Sequence, residues 1–159
     1  MTRSYARSPE MNMPFHGAKL ALLTPHHLVT LLRDEHPGLA HPGCWDLPGG
    51  GREGPESPVA CALRETREEL GLELDPAVVI WGRRFVWHGL GFWFFAARIE
   101  ARVLREIVFG DEGQGWAAMT PRLFYAHPKV IAHFKDRLRI CLTDLEGEEK
   151  PPADVSGGR

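Results

Sequence analysis

Three cysteines, Cys44, Cys61 and Cys141, are scattered through 159 residues. So few, odd in number and far apart, they exclude a disulfide framework and are expected of a reducing, cytoplasmic compartment. An excess of charge of one sign is also missing: 19 basic side chains face 21 acidic ones, giving a formal net charge of −2 and a pI near 6.4. Without a global basic field, no duplex nucleic acid is expected as a partner. No apolar run approaches the roughly 18 residues that suggest a membrane span, so no membrane partner is expected either. Residues 1–14 lack an apolar signal-peptide core and read as a flexible lead-in, with Met11 and Met13 as alternative starts. No internal repeat or interior linker is visible. Hydrophobic residues at 43% and charged residues at 25% describe an ordinary globular domain, expected over residues 15–145 and followed by a flexible tail over 146–159.

Against that plain background, residues 50–72 carry one continuous pattern: Gly50, Glu56, Arg64-Glu65-Thr66, Glu68-Glu69 and Gly71-Leu72. In general form it is G-x5-E-x7-R-E-U-x-E-E-x-G-U, where U is a bulky apolar residue. Treated as independent draws, its fixed identities have a chance of roughly 10⁻⁷ per starting position. The local physics is coherent. Ser57 followed by Pro58 is a helix start, and Gly71 is its stop. Val59, Leu63, Thr66 and Leu70 recur at helical spacing as the buried stripe. Glu65, Glu68 and Glu69 fall at i, i+3 and i+4, within an arc of about 100° away from that stripe. Like charges so placed destabilise a helix slightly, and a helix made only for solubility would alternate its signs. Convergent carboxylates instead suit a hard cation, Mg²⁺ or Mn²⁺. A solvated face with Arg64 and Arg67 paired to neighbours is the plainer alternative; the glycine turn and Glu56 weigh against it.

The pattern resembles the signature of the Nudix hydrolases, which cleave pyrophosphate linkages in nucleoside diphosphates joined to another group. Only Thr66 departs, standing where the family carries an aliphatic residue. The match is specific over 45–72 and extends by order of elements from about 19 to 142. The resemblance implies an α/β/α sandwich with a mixed β-sheet and a nucleotide-like small-molecule substrate. It also implies metal ligation by Glu65, Glu68 and Glu69, often with the carbonyl of Gly49, and support of the metal shell by Glu56 through water. Arg64 is expected to orient a carboxylate rather than touch substrate. Glu65 is the favoured general base, with a glutamate outside the helix as the alternative. Glu112 is that candidate, as base or metal ligand, because similar late acidic loops serve some Nudix enzymes. Its Gly-Asp-Glu-Gly-Gln-Gly run (110–115) reads as a mobile loop, and ordinary turn chemistry is the other reading.

Pyrophosphate hydrolysis needs neutralised phosphate oxygens and an activated water, and a divalent ion supplies both. The expected activity is Mg²⁺-dependent hydrolysis of a nucleoside triphosphate or nucleoside-diphosphate-X substrate by water attack on phosphorus. The alternative is a non-catalytic nucleotide-binding or regulatory module of the same fold. An RNA-end substrate gains no support from the acidic balance.

The remainder of the chain reads as framework. Strands are expected over 19–23, 27–33, 78–88, 92–99, 103–109 and 116–119, and a helix over 128–142. His26-His27 belongs to a turn after Pro25. His36, His41 and Cys44 match no standard zinc spacing. Cys61 lies on the carboxylate side of the helix and reads as a small buried thiol. Trp45, Phe85, Trp87, Phe92, Trp93 and Trp116 are candidates to stack on a base, although strand aromatics are more often core. Alternation through 92–95 predicts one core face and one cleft face. Arg83 and Arg84 are candidate phosphate contacts.

Overall fold

The structure, a computed structural model, describes residues 3–149. Strands β1 (Gly17–Leu23), β2 (Leu28–Leu32), β3 (Trp45–Asp46), β4 (Gly49–Gly51), β5 (Val79–Trp87), β6 (Leu90–Arg98) and β7 (Gly115–Met119) form one mixed sheet. Its main path runs β3-β2-β1-β6-β5, with β7 on β2 and β4 on β1. β1 and β6 pair in parallel, and the other pairs are antiparallel. One register detail positions the site. β1 meets β2 at Leu23 but meets β4 over Gly17–Lys19, so the sheet divides along its length.

Period-two alternation sorts the side chains to two faces. Leu20, Leu22, Trp93 and Phe95 pack with Cys61, Ala62 and Leu70 of helix α1 (Pro58–Leu70). Ala21, Phe94 and Ala96 pack on the opposite face with Phe134, Leu138 and Cys141 of helix α3 (Ala132–Glu149). The result is the expected α/β/α sandwich. Both faces of 92–95 are therefore core, since Trp93, Phe94 and Phe95 are fully buried; Phe92 alone borders a cleft.

Several local expectations are corrected. Residues 103–109 form no strand. A 3-10 helix spans Ala101–Glu106, and the chain then crosses the end of α1, where Val108 N donates to the Leu70 carbonyl at 2.9 Å and Gly110 N to that of Glu69 at 2.9 Å. The β-branched residues suggest a strand, but the backbone finds its partners on a helix end. A short helix α2 (Pro121–Ala126) begins at Thr120-Pro121, with Thr120 Oγ1 accepting from Leu123 N at 3.1 Å. The last helix starts later than expected. Trp45 N donates to the Lys129 carbonyl and Ile131 N to that of Trp45, holding the preceding segment extended.

The segment read as a flexible lead-in is docked over residues 4–14, and residues 1–2 lie outside the described residues. Two 3-10 turns, Ser4–Arg7 and Pro9–Asn12, lie against the sheet; Tyr5 is buried, sets its ring edge-on to Phe95, and donates to the Val79 carbonyl at 3.3 Å. Arg84 holds the same segment by donating to the Pro14 carbonyl at 3.0 Å. At the other end α3 continues to Glu149, so 146–149 is helical; residues 150–159 lie outside the described residues.

Candidate active site

Helix α1 is set by its ends. The Ser57 hydroxyl accepts from Ala60 N at 3.1 Å, and Gly71 closes the helix in the left-handed region at φ 65°. The buried face centres on Cys61, Ala62, Thr66 and Leu70, with Val59 and Leu63 at its margin. That rotation turns the acidic face toward β4 rather than to open solvent. Gly49 N donates to Glu69 Oε1 at 2.8 Å, and a Cβ on Gly50 would stand 2.7 Å from the Glu65 carboxyl carbon. Gly49 itself has φ 131°, and a side chain there would collide with the backbone of Ala18 and Lys19. Glycine at these positions lets a strand and two carboxylates meet.

Arg64 ties the acidic face together. Its Nε and one terminal nitrogen grip Glu56 as a fork, both at 2.9 Å, and that nitrogen also donates to the Gly51 carbonyl at 2.9 Å. The other nitrogen reaches Glu65 at 3.0 Å and Glu68 at 3.1 Å. Glu56 also accepts from Glu53 N at 2.8 Å. The guanidinium fork holds the Glu56 carboxyl far below its ordinary range, at about 2. Burial raises Glu65 against the pull of Arg64. Burial dominates at Glu69 as well, raising it to about 7 despite the Lys19 charge and the Gly49 amide. Glu68 is exposed. Cys61 is buried, donates weakly to the Gly50 carbonyl at 3.6 Å, and is pushed up to about 12 by desolvation, so it is no nucleophile.

Among the described residues, no three acidic, His or Cys side chains close on one point, because Arg64 stands between Glu56, Glu65 and Glu68. The donor chemistry is nonetheless that of a hard-cation site. Two desolvated carboxylates and an exposed third border one glycine turn, and all the donors are oxygen. The predicted Gly49 carbonyl accepts from Lys19 Nζ at 3.0 Å.

Glu112 is exposed, and with Glu69 and Asp46 it lines a cavity of about 350 Å³. Its loop is pinned rather than free: Gly113 N donates to Asp34 at 3.1 Å, and Gln114 N to the Leu32 carbonyl at 2.8 Å. A larger cavity of about 500 Å³ opens beside Gly50 and Gly51 on the α3 face. Three residues between the two cavities were not predicted. Lys19 Nζ donates to Asp46 at 3.1 Å and to the Leu47 carbonyl at 3.2 Å, while Arg33 reaches Asp46 at 2.9 Å. A lone lysine within an apolar strand and a lone aspartate between Trp45 and Leu47 were the available signals. Of the candidate stacking residues, Trp87 and Phe92 line the larger cavity, Trp93 is core, and Trp45, Phe85 and Trp116 pack at the margins of the cores. Arg83 is exposed, its guanidinium 5.7 Å from the Phe85 ring centre.

Solved structures share this architecture at low identity. The MutT protein of Methanosarcina mazei Go1 superposes with a TM-score of 0.64 at 19% identity, over 87% of this chain and 99% of that one. A C. elegans Ap4A hydrolase gives 0.61 at 17% identity, over 82% and 98%. A bifunctional NMN adenylyltransferase/ADP ribose pyrophosphatase of Francisella tularensis, solved with AMP and a Mn ion, gives 0.62 at 16% identity, over 90% of this chain and 44% of that one. Comparison with curated proteins gives no match. These likenesses define the class as a mixed α/β sandwich of the Nudix fold. The NUDIX domain family matches residues 15–138, and the chain belongs to that family as a hydrolase of diphosphate bonds. Nudix hydrolases generally use divalent metals.

Proposed function

We propose that the chain is an Mg²⁺-dependent pyrophosphohydrolase, with Mn²⁺ as a competent substitute, acting on a nucleoside triphosphate or a nucleoside-diphosphate-X compound. The observation that carries this reading is the seating of Glu65 and Glu69 against the Gly49–Gly50 turn, next to a cavity able to admit a substrate. Glu65, Glu68 and Glu69 would hold the ion, with the Gly49 carbonyl and Glu112 as further oxygen donors. When bound, the ion supplies neutralisation of phosphate charge and acidification of water. Glu56 keeps Arg64 in place, and Arg64 in turn orients Glu65 and Glu68. Glu65 is the favoured general base, its burial pushing the carboxyl upward against the pull of Arg64 and so making it a better proton acceptor. Lys19 and Arg33 hold Asp46 and shape the wall between the cavities.

Three unpaired thiols agree with a reducing, cytoplasmic setting. No helix among the described residues is long and apolar enough to cross a membrane.

The test is a panel of nucleoside triphosphates, nucleotide sugars and dinucleoside polyphosphates, assayed with Mg²⁺ and with excess chelator. Phosphate or pyrophosphate release that requires the ion supports the reading; full turnover under chelator overturns it. Glu112→Gln separates two roles for the late loop. As a base, Glu112 would be needed for turnover while metal affinity stays unchanged. As a ligand, its loss would weaken metal binding, and added metal would restore part of the rate.

A further inference from the structure

The cavity on the α3 face is rich in donors and poor in free acceptors. Lys19, Arg33 and Arg137 all reach it, while Asp46 is its sole lining carboxylate. Asp46 is already engaged: Oδ1 accepts from Leu47 N at 2.7 Å and Oδ2 from Arg33 at 2.9 Å, with Lys19 at 3.1 Å. Arg137 differs from the other two cations. Its guanidinium lies 4.7 Å from the Phe85 ring centre and 5.9 Å from that of Phe134, and it has no ion-pair partner among the described residues. Burial alone lowers its pKa, the mark of a cation removed from water without a compensating anion.

At the same cavity two aromatic faces stand nearly parallel. Trp87 and His133 have centroids 6.4 Å apart and planes 19° from parallel, and Trp87 is 60% exposed. Burial and the Arg137 charge push the His133 pKa down, which disfavours a charged ring there. An indole left this exposed, lining the same cavity as a desolvated guanidinium, suits a planar aromatic ligand with acceptors on its edge. A guanidinium offers donors only. Guanine presents adjacent O6 and N7 acceptors to such a fork, whereas adenine sets an amino donor beside N7.

We propose that this cavity binds the base of the substrate nucleotide and selects guanine over adenine through Arg137, with Trp87 supplying the stacking face. The proposal rests on the hydrolytic reading of the neighbouring glycine turn, but its test does not use hydrolysis. GMP, AMP and inorganic pyrophosphate are titrated into metal-free protein in EDTA, with binding followed by calorimetry. GMP is expected to bind at least tenfold more tightly than AMP or pyrophosphate. Arg137→Lys keeps charge and stem but loses the fork, and is expected to bring GMP and AMP to within about twofold of each other. Trp87→Ala, at an exposed hairpin tip, should weaken both nucleotides together. Equal binding of GMP and AMP by the native protein overturns the proposal, as does a preference that survives in Arg137→Lys. Pyrophosphate binding as tightly as GMP would make the cavity a simple anion site. A parallel Mg²⁺ assay separates the two readings: absence of all hydrolysis with the GMP preference intact sinks only the hydrolase assignment. Hydrolysis with no base preference in binding sinks only the cavity assignment.

Discussion

A guanidinium set among carboxylates decides how each of them ionises, and Arg64 makes Glu56 the extreme case. Glu56 has a folded value near 2 against an ordinary 4.5. A depressed carboxyl stabilises the fold fully above its unfolded value, and that contribution fades as pH falls from 4.5 toward 2. Glu56→Gln should therefore cost stability at pH 7, and the gap from the native protein should narrow toward pH 3. Urea unfolding at the two pH values reads this directly; a gap that stays constant would remove the ionic account of Glu56. The seven motif identities were legible because each has a local physical reason within 23 consecutive residues, 50 to 72. Lys19, Arg33, Asp46 and Arg137 were not, because they come from separate elements and meet only through the sheet division and the seating of α3.

At the scale of the element, two adjacent glycines in β4 serve different ends, and one substitution at each separates them. A methyl at Gly49 would strike the backbone of β1 at a left-handed φ, and neither partner can yield. Gly49→Ala should cost about 1–3 kcal/mol of stability, seen as a lowered unfolding midpoint. A methyl at Gly50 would first meet the Glu65 carboxylate, the far end of a side chain. Gly50→Ala should therefore leave the midpoint nearly unchanged while moving Glu65 and reducing kcat by at least tenfold. Native turnover in Gly50→Ala would separate Glu65 from the chemistry. Strand and helix existence was readable wherever a hydrophobic period ran unbroken. The 103–109 segment was misread because its β-branched residues suggest a strand while its backbone forms a 3-10 turn and then donates from Val108 to a helix end, and the missed α2 carried the same start signal, Thr120-Pro121, as Ser57-Pro58.

On the scale of the whole molecule, the sheet shares its load between two cores, and the N-terminal turns belong to the one beneath α1. Tyr5→Ala removes a buried ring and its contact with Phe95, and is expected to cost about 3 kcal/mol. Denaturant unfolding measures it, and a loss under about 0.5 kcal/mol would mean that the segment rests on the sheet without supporting it. The sandwich as a whole presents the acidic helix to the glycine turn, and the central claim is that this junction holds a divalent ion for hydrolysis. Manganese binding followed by electron paramagnetic resonance tests that claim most directly, comparing native protein with a Glu65→Gln, Glu68→Gln, Glu69→Gln triple variant at matched folding by circular dichroism. The account predicts at least a tenfold loss of Mn²⁺ affinity in the variant, together with loss of Mg²⁺-dependent turnover. Native Mn²⁺ affinity in a folded triple variant would contradict it.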